Sequence, residues 1–133
     1  MTRYLLDTNH AGRLLRDGSH SLWQRLATLR RDECLLCRPV VAELWFMVFN
    51  SQHLDTNQTR LQSLLQQFDI LEFDESSAIE FGRLRAALRR LGKPVPAFDV
   101  LIAAIALTHH CTLVTADTHF SQIPPLTLDN WLS

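Results

Sequence analysis

The chain has 133 residues, 47% of them hydrophobic and 20% charged, a balance that supports one domain with a real core and excludes a disordered chain. A formal net charge of −1 excludes recruitment of nucleic acid by a global field, so any polyanion contact must come from local clusters. The longest apolar runs, near 40–49 and 100–107, fall short of the roughly 20 residues that span a bilayer, and residues 1–9 lack a secretory pattern; no membrane association and a cytosolic location are expected.

The chain opens on Tyr4-Leu5-Leu6-Asp7-Thr8-Asn9, a strand-like run that ends on a carboxylate just ahead of a helical pattern. In an open parallel sheet ligands bind outside the carboxyl ends of the strands, and Asp7 stands at such an end. Taken alone, an acid there is more often a helix cap than a metal ligand or a phosphate-handling group, so a functional role needs partners elsewhere in the chain. A short amphipathic segment with Leu14 and Leu15 follows and breaks at Asp17-Gly18. The next helix is predicted from Ser19 to about Arg31, started by Ser19 or Ser21, with Leu22, Leu26 and Leu29 at helical spacing. Cys34-Leu35-Leu36-Cys37 has the spacing of a redox or zinc half-motif, but side chains three apart on a strand face opposite ways. These thiols and Cys111 are therefore expected to be core fillers.

Pro39 opens a helix over 39–50 that is apolar on every face except for Glu43. Such a helix is expected to be buried, with Glu43 within or beside the core; Trp45, Phe46 and Phe49 have two readings, an interface or core packing, of which core packing is expected. A helix over 55–69 presents Leu61, Leu64, Leu65 and Phe68, and a third strand covers 70–73. Asp74 or Ser76 then caps a helix that runs to Gly92. On it, Arg83, Arg85, Arg89 and Arg90 form a cluster with two readings: contacts to RNA phosphates, or a solvated face on which Arg83 pairs with Glu80. Pro94 and Pro96 impose an extended connection. A second all-apolar helix runs from Pro96 to His109 with Asp99 in its first turn, a strand over 112–115 leads to Asp117, and a last short segment surrounds 126–128. Short apolar runs alternating with helices predict the α/β class, as a three-layer α/β/α sandwich with a central parallel sheet, and one domain over 1–133.

Four acids occupy places that disfavour acids: Asp7 and Asp117 after strands, Asp99 at a helix start and Glu43 inside an apolar helix. Each has a plain explanation, as a turn cap, a helix-dipole partner or half of an arginine pair. Parallel topology, however, brings strand ends and the following helix starts to one edge, so Asp7, Asp99 and Asp117 are expected to be neighbours, with Glu43 close enough to join them. Clustered carboxylates repel one another unless a divalent cation offsets them, and oxygen-only ligation favours Mg²⁺ or Mn²⁺ over zinc. Metal-assisted hydrolysis of a phosphodiester follows most directly. His10, His20, His53, His109 and His110 show no ligand spacing.

In order and spacing, Leu5-Leu6-Asp7-Thr8-Asn9, Ala42-Glu43-Leu44, Gly92-Lys93-Pro94-Val95-Pro96 before Asp99, Leu101-Ile102-Ala103-Ala104, Leu113-Val114-Thr115-Ala116-Asp117 and a closing Asn130-Trp131 resemble the PIN-domain ribonucleases. The resemblance is strongest to the VapC toxins of type II toxin-antitoxin modules and runs nearly end to end. It implies a PIN-like fold and a Mg²⁺- or Mn²⁺-dependent endoribonuclease with Asp7, Glu43, Asp99 and Asp117 as its acidic quartet. Thr115 would accompany the last acid, and Asn9 would orient the first. It also implies an RNA substrate, with tRNA among the candidates, a VapB-like antitoxin, and a homodimer or larger toxin-antitoxin assembly. Leu14, Leu15, Leu22 and Trp23 are candidates for the groove an antitoxin segment would occupy. One departure stands out, because many relatives carry a further acid shortly before the phenylalanine of the last motif and this chain has His119 ahead of Phe120. That histidine serves either a second, weaker metal position or substrate phosphate, or is a solvated turn residue.

Two other readings remain at this stage. A catalytically weak PIN-fold RNA-binding module would keep the fold without the chemistry. A receiver or haloacid-dehalogenase-type phosphotransfer domain also places an Asp after its first strand, but needs a lysine after a later one. The only lysine here, Lys93, precedes Asp99 in a proline-bracketed connection, and Asn9 stands where the dehalogenase pattern has its second Asp.

Overall fold

The computed structural model describes residues 1–16 and 20–132. Five short strands, β1 (Tyr4–Leu6), β2 (Cys34–Cys37), β3 (Asp69–Leu71), β4 (Thr112–Val114) and β5 (Leu128–Asp129), form one sheet in the order β3-β2-β1-β4-β5. Every pairing is parallel. The central strands are buried throughout or nearly so, which is why they read as unbroken apolar runs rather than as alternating ones. Six helices connect them: α1 (Thr8–Arg16), α2 (His20–Ala27), α3 (Arg38–Phe49), α4 (Leu54–Leu65), α5 (Glu75–Arg90) and α6 (Ala97–Thr108). The three-layer α/β/α sandwich expected from the sequence is the architecture.

From β1 the chain steps outward to β2 and β3, then returns through α5 and α6 to pair β4 with the other side of β1. The strand order reverses between β1 and β4, and an open parallel sheet has its crevice at the carboxyl ends of the two strands flanking such a point. Asp7 and Asp117 leave the sheet there. Pairing of Leu6 with Val114, continued by the Asp7 amide donating to the Val114 carbonyl at 3.1 Å, brings Asp7 level with Thr115.

Local chemistry sets the helix ends. Asp74 caps α5 by accepting from the Ser77 amide at 2.9 Å. Gly92, at φ +66°, lets the amides of Gly92 and Lys93 close back on Arg89 and Leu88, and a residue with a Cβ would be strained in that left-handed turn. Pro96 precedes the first turn of α6, where a missing N–H costs nothing.

Several expectations are corrected. The helix over 39–50 exists as α3, yet it is not buried all round: Phe46 and Phe49 are 61% and 65% exposed, and only Val40, Val41, Leu44 and Val48 are buried. Trp45 is half-buried and stacks on Phe49 at 5.7 Å, so these aromatics form an outer face instead of filling the core. All-round apolarity could not show which face meets the sheet. The helix predicted from Ser19 to about Arg31 ends as α2 at Ala27, where the Thr28 hydroxyl and amide both turn back to the Arg25 carbonyl, and a short 3-10 turn covers Arg31–Glu33. The break at Asp17-Gly18 and the start at Ser19 lie outside the described residues. The third strand sits two residues earlier than expected at its end, and the segment around 126–128 supplies a fifth strand on the far edge. Cys34, Cys37 and Cys111 are free and buried, and burial pushes the Cys34 and Cys37 thiols up to about 12, which keeps them inert as expected.

Candidate metal centre

Asp7 follows β1 and heads α1, where its carbonyl accepts from the Ala11 amide and its Oδ1 from the His10 amide at 2.9 Å. The capping reading is thus realised. The carboxylate does more, because it is only 4% exposed and has two further donors. The His10 ring lies 2.9 Å from Oδ1 through Nδ1, and the Thr115 hydroxyl donates to Oδ2 at 2.6 Å. Three donors converge on the buried carboxylate, and its position is fixed before any ligand arrives.

Asp99 and Asp117 are less buried and differently served. Asp117 accepts from the His119 amide at 2.9 Å, and its own amide donates to the Thr115 hydroxyl at 3.0 Å. One hydroxyl therefore bridges Asp7 to the backbone of Asp117. The His119 ring closes the pair from the solvent side, with Nδ1 3.2 Å from Asp117 Oδ1 and 3.5 Å from Asp99 Oδ2. Burial, and then the charges of Asp117 and Asp7, push the Asp99 carboxyl above the ordinary aspartate range against the opposing pull of His119. Ligand atoms of Asp99, Asp117 and His119 all lie within 4.8 Å of one another.

Asp7, Glu43, Asp99 and Asp117 line a single cleft of about 330 Å³ together with Thr8 and Asn9. Glu43 is half-buried on α3, and none of the ion pairs among the described residues includes it. Asn9 lines the cleft, but the hydrogen bonds to Asp7 come from His10 and Thr115 instead. The Thr8 hydroxyl is buried without a hydrogen-bond partner at the same cleft, and buried polar atoms are rarely left so unless something else satisfies them. Carboxylate oxygens in excess, one displaced carboxyl pKa and an orphaned hydroxyl fit a hard divalent cation.

The arginines divide. Arg83 pairs with Glu80 on the same helix, as the plainer reading expects. Arg85, Arg89 and Arg90 join Lys93 along a separate cleft of about 520 Å³ beside Pro94 and Val100, next to the first turn of α6, which carries Asp99. Leu14, Leu15 and Trp23 line a third, of about 460 Å³, with Arg60 and Leu64 of α4, whereas Leu22 is buried. No helix among the described residues is long and apolar enough to cross a membrane.

A residue in contact with Asp7 that sequence reasoning passed over is His10. Its spacing from Asp7 is that of a cap and the third helical residue, a signal available in the sequence, but one that does not separate an ordinary core histidine from a partner of the acid.

The PIN domain family profile matches residues 4–125. The chain belongs to the PIN-domain family. Within it, the chain is similar to the VapC proteins: it is 32% identical to Ribonuclease VapC2 of Rickettsia felis over 130 residues, which cover 96% of this chain and 97% of that one. It is 27% identical to the tRNA(fMet)-specific endonuclease VapC of Shigella flexneri, over 98% of this chain and 99% of that protein. The solved structure of VapBC2 from Rickettsia felis bound to a DNA fragment from their promoter superposes with a TM-score of 0.92 at 30% identity, covering 98% of this chain and 100% of that one. On this PIN fold Asp7, Glu43, Asp99 and Asp117 line one crevice.

Proposed function

We propose that this PIN domain is a Mg²⁺- or Mn²⁺-dependent endoribonuclease and the toxin of a VapBC-type toxin-antitoxin module. The observation that carries the reading is the lining of one cleft by Asp7, Glu43, Asp99 and Asp117. The ribonuclease and endonuclease names of the VapC relatives support RNA as substrate, and the Shigella relative makes tRNA the first one to try. Asp7, Asp99, Glu43 and Asp117, which line the same cleft, would hold the ion. When bound, the ion lowers the pKa of a water and offsets charge that develops on the phosphate oxygens. Asp7 enters the reaction already oriented by its three donors, while at Asp99, whose charged form burial and the neighbouring acids disfavour, a cation would offset the repulsion. His119 lends a nitrogen donor at the outer, weaker position. Arg85 and Arg89, beside Lys93, offer phosphate contacts in the neighbouring cleft.

VapBC assemblies among the similar structures support a VapB-like antitoxin as partner. The cleft at Leu14, Leu15 and Trp23 is suited to an apolar segment of such a partner, and the exposed Phe46 and Phe49 form the kind of face that assembly into a homodimer or larger complex covers. Action on a cellular RNA would be consistent with a cytosolic location.

The test is incubation of purified chain with tRNA and single-stranded RNA, with Mg²⁺, with Mn²⁺ and with EDTA. Cleavage is expected with either metal, lost in EDTA, and reduced about a thousandfold in Asp99→Asn. Metal-dependent RNA binding without cleavage would turn the reading to an RNA-binding module, and cleavage that persists in Asp99→Asn would refute the acidic centre.

A further inference from the structure

The His10 ring is completely buried, yet it is neither a core filler nor a member of the acidic quartet. Each ring nitrogen has a partner from a different part of the chain. Nε2 accepts from the backbone amide of Trp131 at 3.3 Å, 121 residues away, and Nδ1 lies 2.9 Å from Asp7 Oδ1. An amide can only donate, so its bond to Nε2 puts the lone pair on that nitrogen. The ring proton is thereby assigned to Nδ1, and Nδ1–H donates to the carboxylate.

The far partner is itself well fixed. Trp131 is 9% exposed, packs edge-on against Tyr4 at 5.1 Å, lies under the Arg25 guanidinium at 5.0 Å, and donates from its indole nitrogen to Asp129 Oδ2 at 3.1 Å. Asn130 accepts from the Leu132 amide at 2.9 Å, which closes the turn that presents the Trp131 amide to His10. The closing Asn130-Trp131 motif thereby acquires a role that burial of an indole does not explain.

Resting on the metal-centre reading above, we propose that His10 is a positioning residue: locked by the Trp131 amide on one side, it orients Asp7 for the cation on the other. Groups that hydrogen-bond a metal's ligands fix the ligand's orientation and basicity, and their loss typically weakens metal binding by about 10- to 100-fold. With Oδ1 taking the His10 amide and ring, and Oδ2 taking only Thr115, the free lone pairs of Asp7 are concentrated on Oδ2. Oδ2 is the oxygen this arrangement offers to a ligand.

Two substitutions separate the two ring nitrogens. Asparagine places its amide near the position of Nδ1 and can donate to Asp7, but does not reach Trp131. Glutamine places its carbonyl near the position of Nε2 and can accept from Trp131, but leaves Oδ1 without the ring donor. Mn²⁺ affinity, read from the EPR signal of free Mn²⁺, and hydrogen exchange of the Trp131 amide are measured on each folded variant alongside thermal stability. His10→Asn is expected to bind Mn²⁺ within about threefold of the parent and to lose protection at Trp131. His10→Gln is expected to keep that protection and to weaken Mn²⁺ about 10- to 100-fold. A merely structural histidine would move the two readouts together with stability.

Equal Mn²⁺ affinity in His10→Gln and the parent overturns the proposal while leaving the metal centre standing. A parent chain that takes up no Mn²⁺ overturns both. If His10→Gln fails to fold, His10→Asn still decides, because loss of Mn²⁺ affinity in a variant that keeps the donor to Asp7 contradicts the assigned role.

Discussion

The two poles of the acidic cleft are built on opposite principles. Asp7 is buried and accepts three hydrogen bonds, two from its own helix start and one from Thr115 just after β4. Asp99 and Asp117 are partly open to solvent, 17% and 33% exposed at the side chain, and face each other across His119. One pole is a carboxylate fixed by three donors, and the other is a pair of carboxyls that share one histidine and lie open to solvent. In the proposed divalent-ion site this difference would divide the work, with rigid donors setting position at Asp7 and the more open carboxyls admitting the ion.

Breaking each pole should therefore give opposite results for stability. Asp7→Ala strands the His10 and Thr115 donors in the interior and is expected to cost about 3 kcal/mol in denaturant unfolding of the metal-free chain. Asp99→Ala removes a carboxyl that its surroundings disfavour and is expected to leave the same measurement unchanged or improved. Equal losses at both positions would erase the distinction.

A milder cut tests the bridge between the poles. Thr115→Val removes the hydroxyl that donates to Asp7 and accepts from the Asp117 amide. It should cost about 1 kcal/mol in stability and weaken Mn²⁺ binding about tenfold by titration. Calorimetry that finds only the stability loss would confine Thr115 to packing.

The smallest effect is in pH. The Asp99 carboxyl is raised in the folded chain by burial and by Asp117 and Asp7, so the folded state keeps a proton that the unfolded state has already released. From the ordinary aspartate range up to the raised value, metal-free stability should fall as pH rises. Asp99→Asn should flatten that slope in melts taken across this range, and an unchanged slope would locate the strain elsewhere.

Much of this was legible in the residues. The three acids at strand ends and helix starts follow from parallel topology once the apolar runs are assigned, and Asp74 and Gly92 marked the ends of α5 through their own side-chain and backbone chemistry. The outer aromatic face of α3 was not legible. A helix apolar on every side carries no record of which side packs, and packing left Phe46 and Phe49 outside. His10 was equally hidden, since its partner on one side lies 121 residues away.

By itself the sequence determined the alternation of strands and helices, the family, and which carboxylates sit at element boundaries, because propensity, caps and apolar periodicity are local. Only the tertiary structure decided that Thr115 joins two acids, that His10 stands between Trp131 and Asp7, and that Arg83 turns to Glu80 while Arg85 and Arg89 face a cleft. These are contacts between distant segments, set by strand register and helix packing, and the one-dimensional order of the residues does not encode them in any short window.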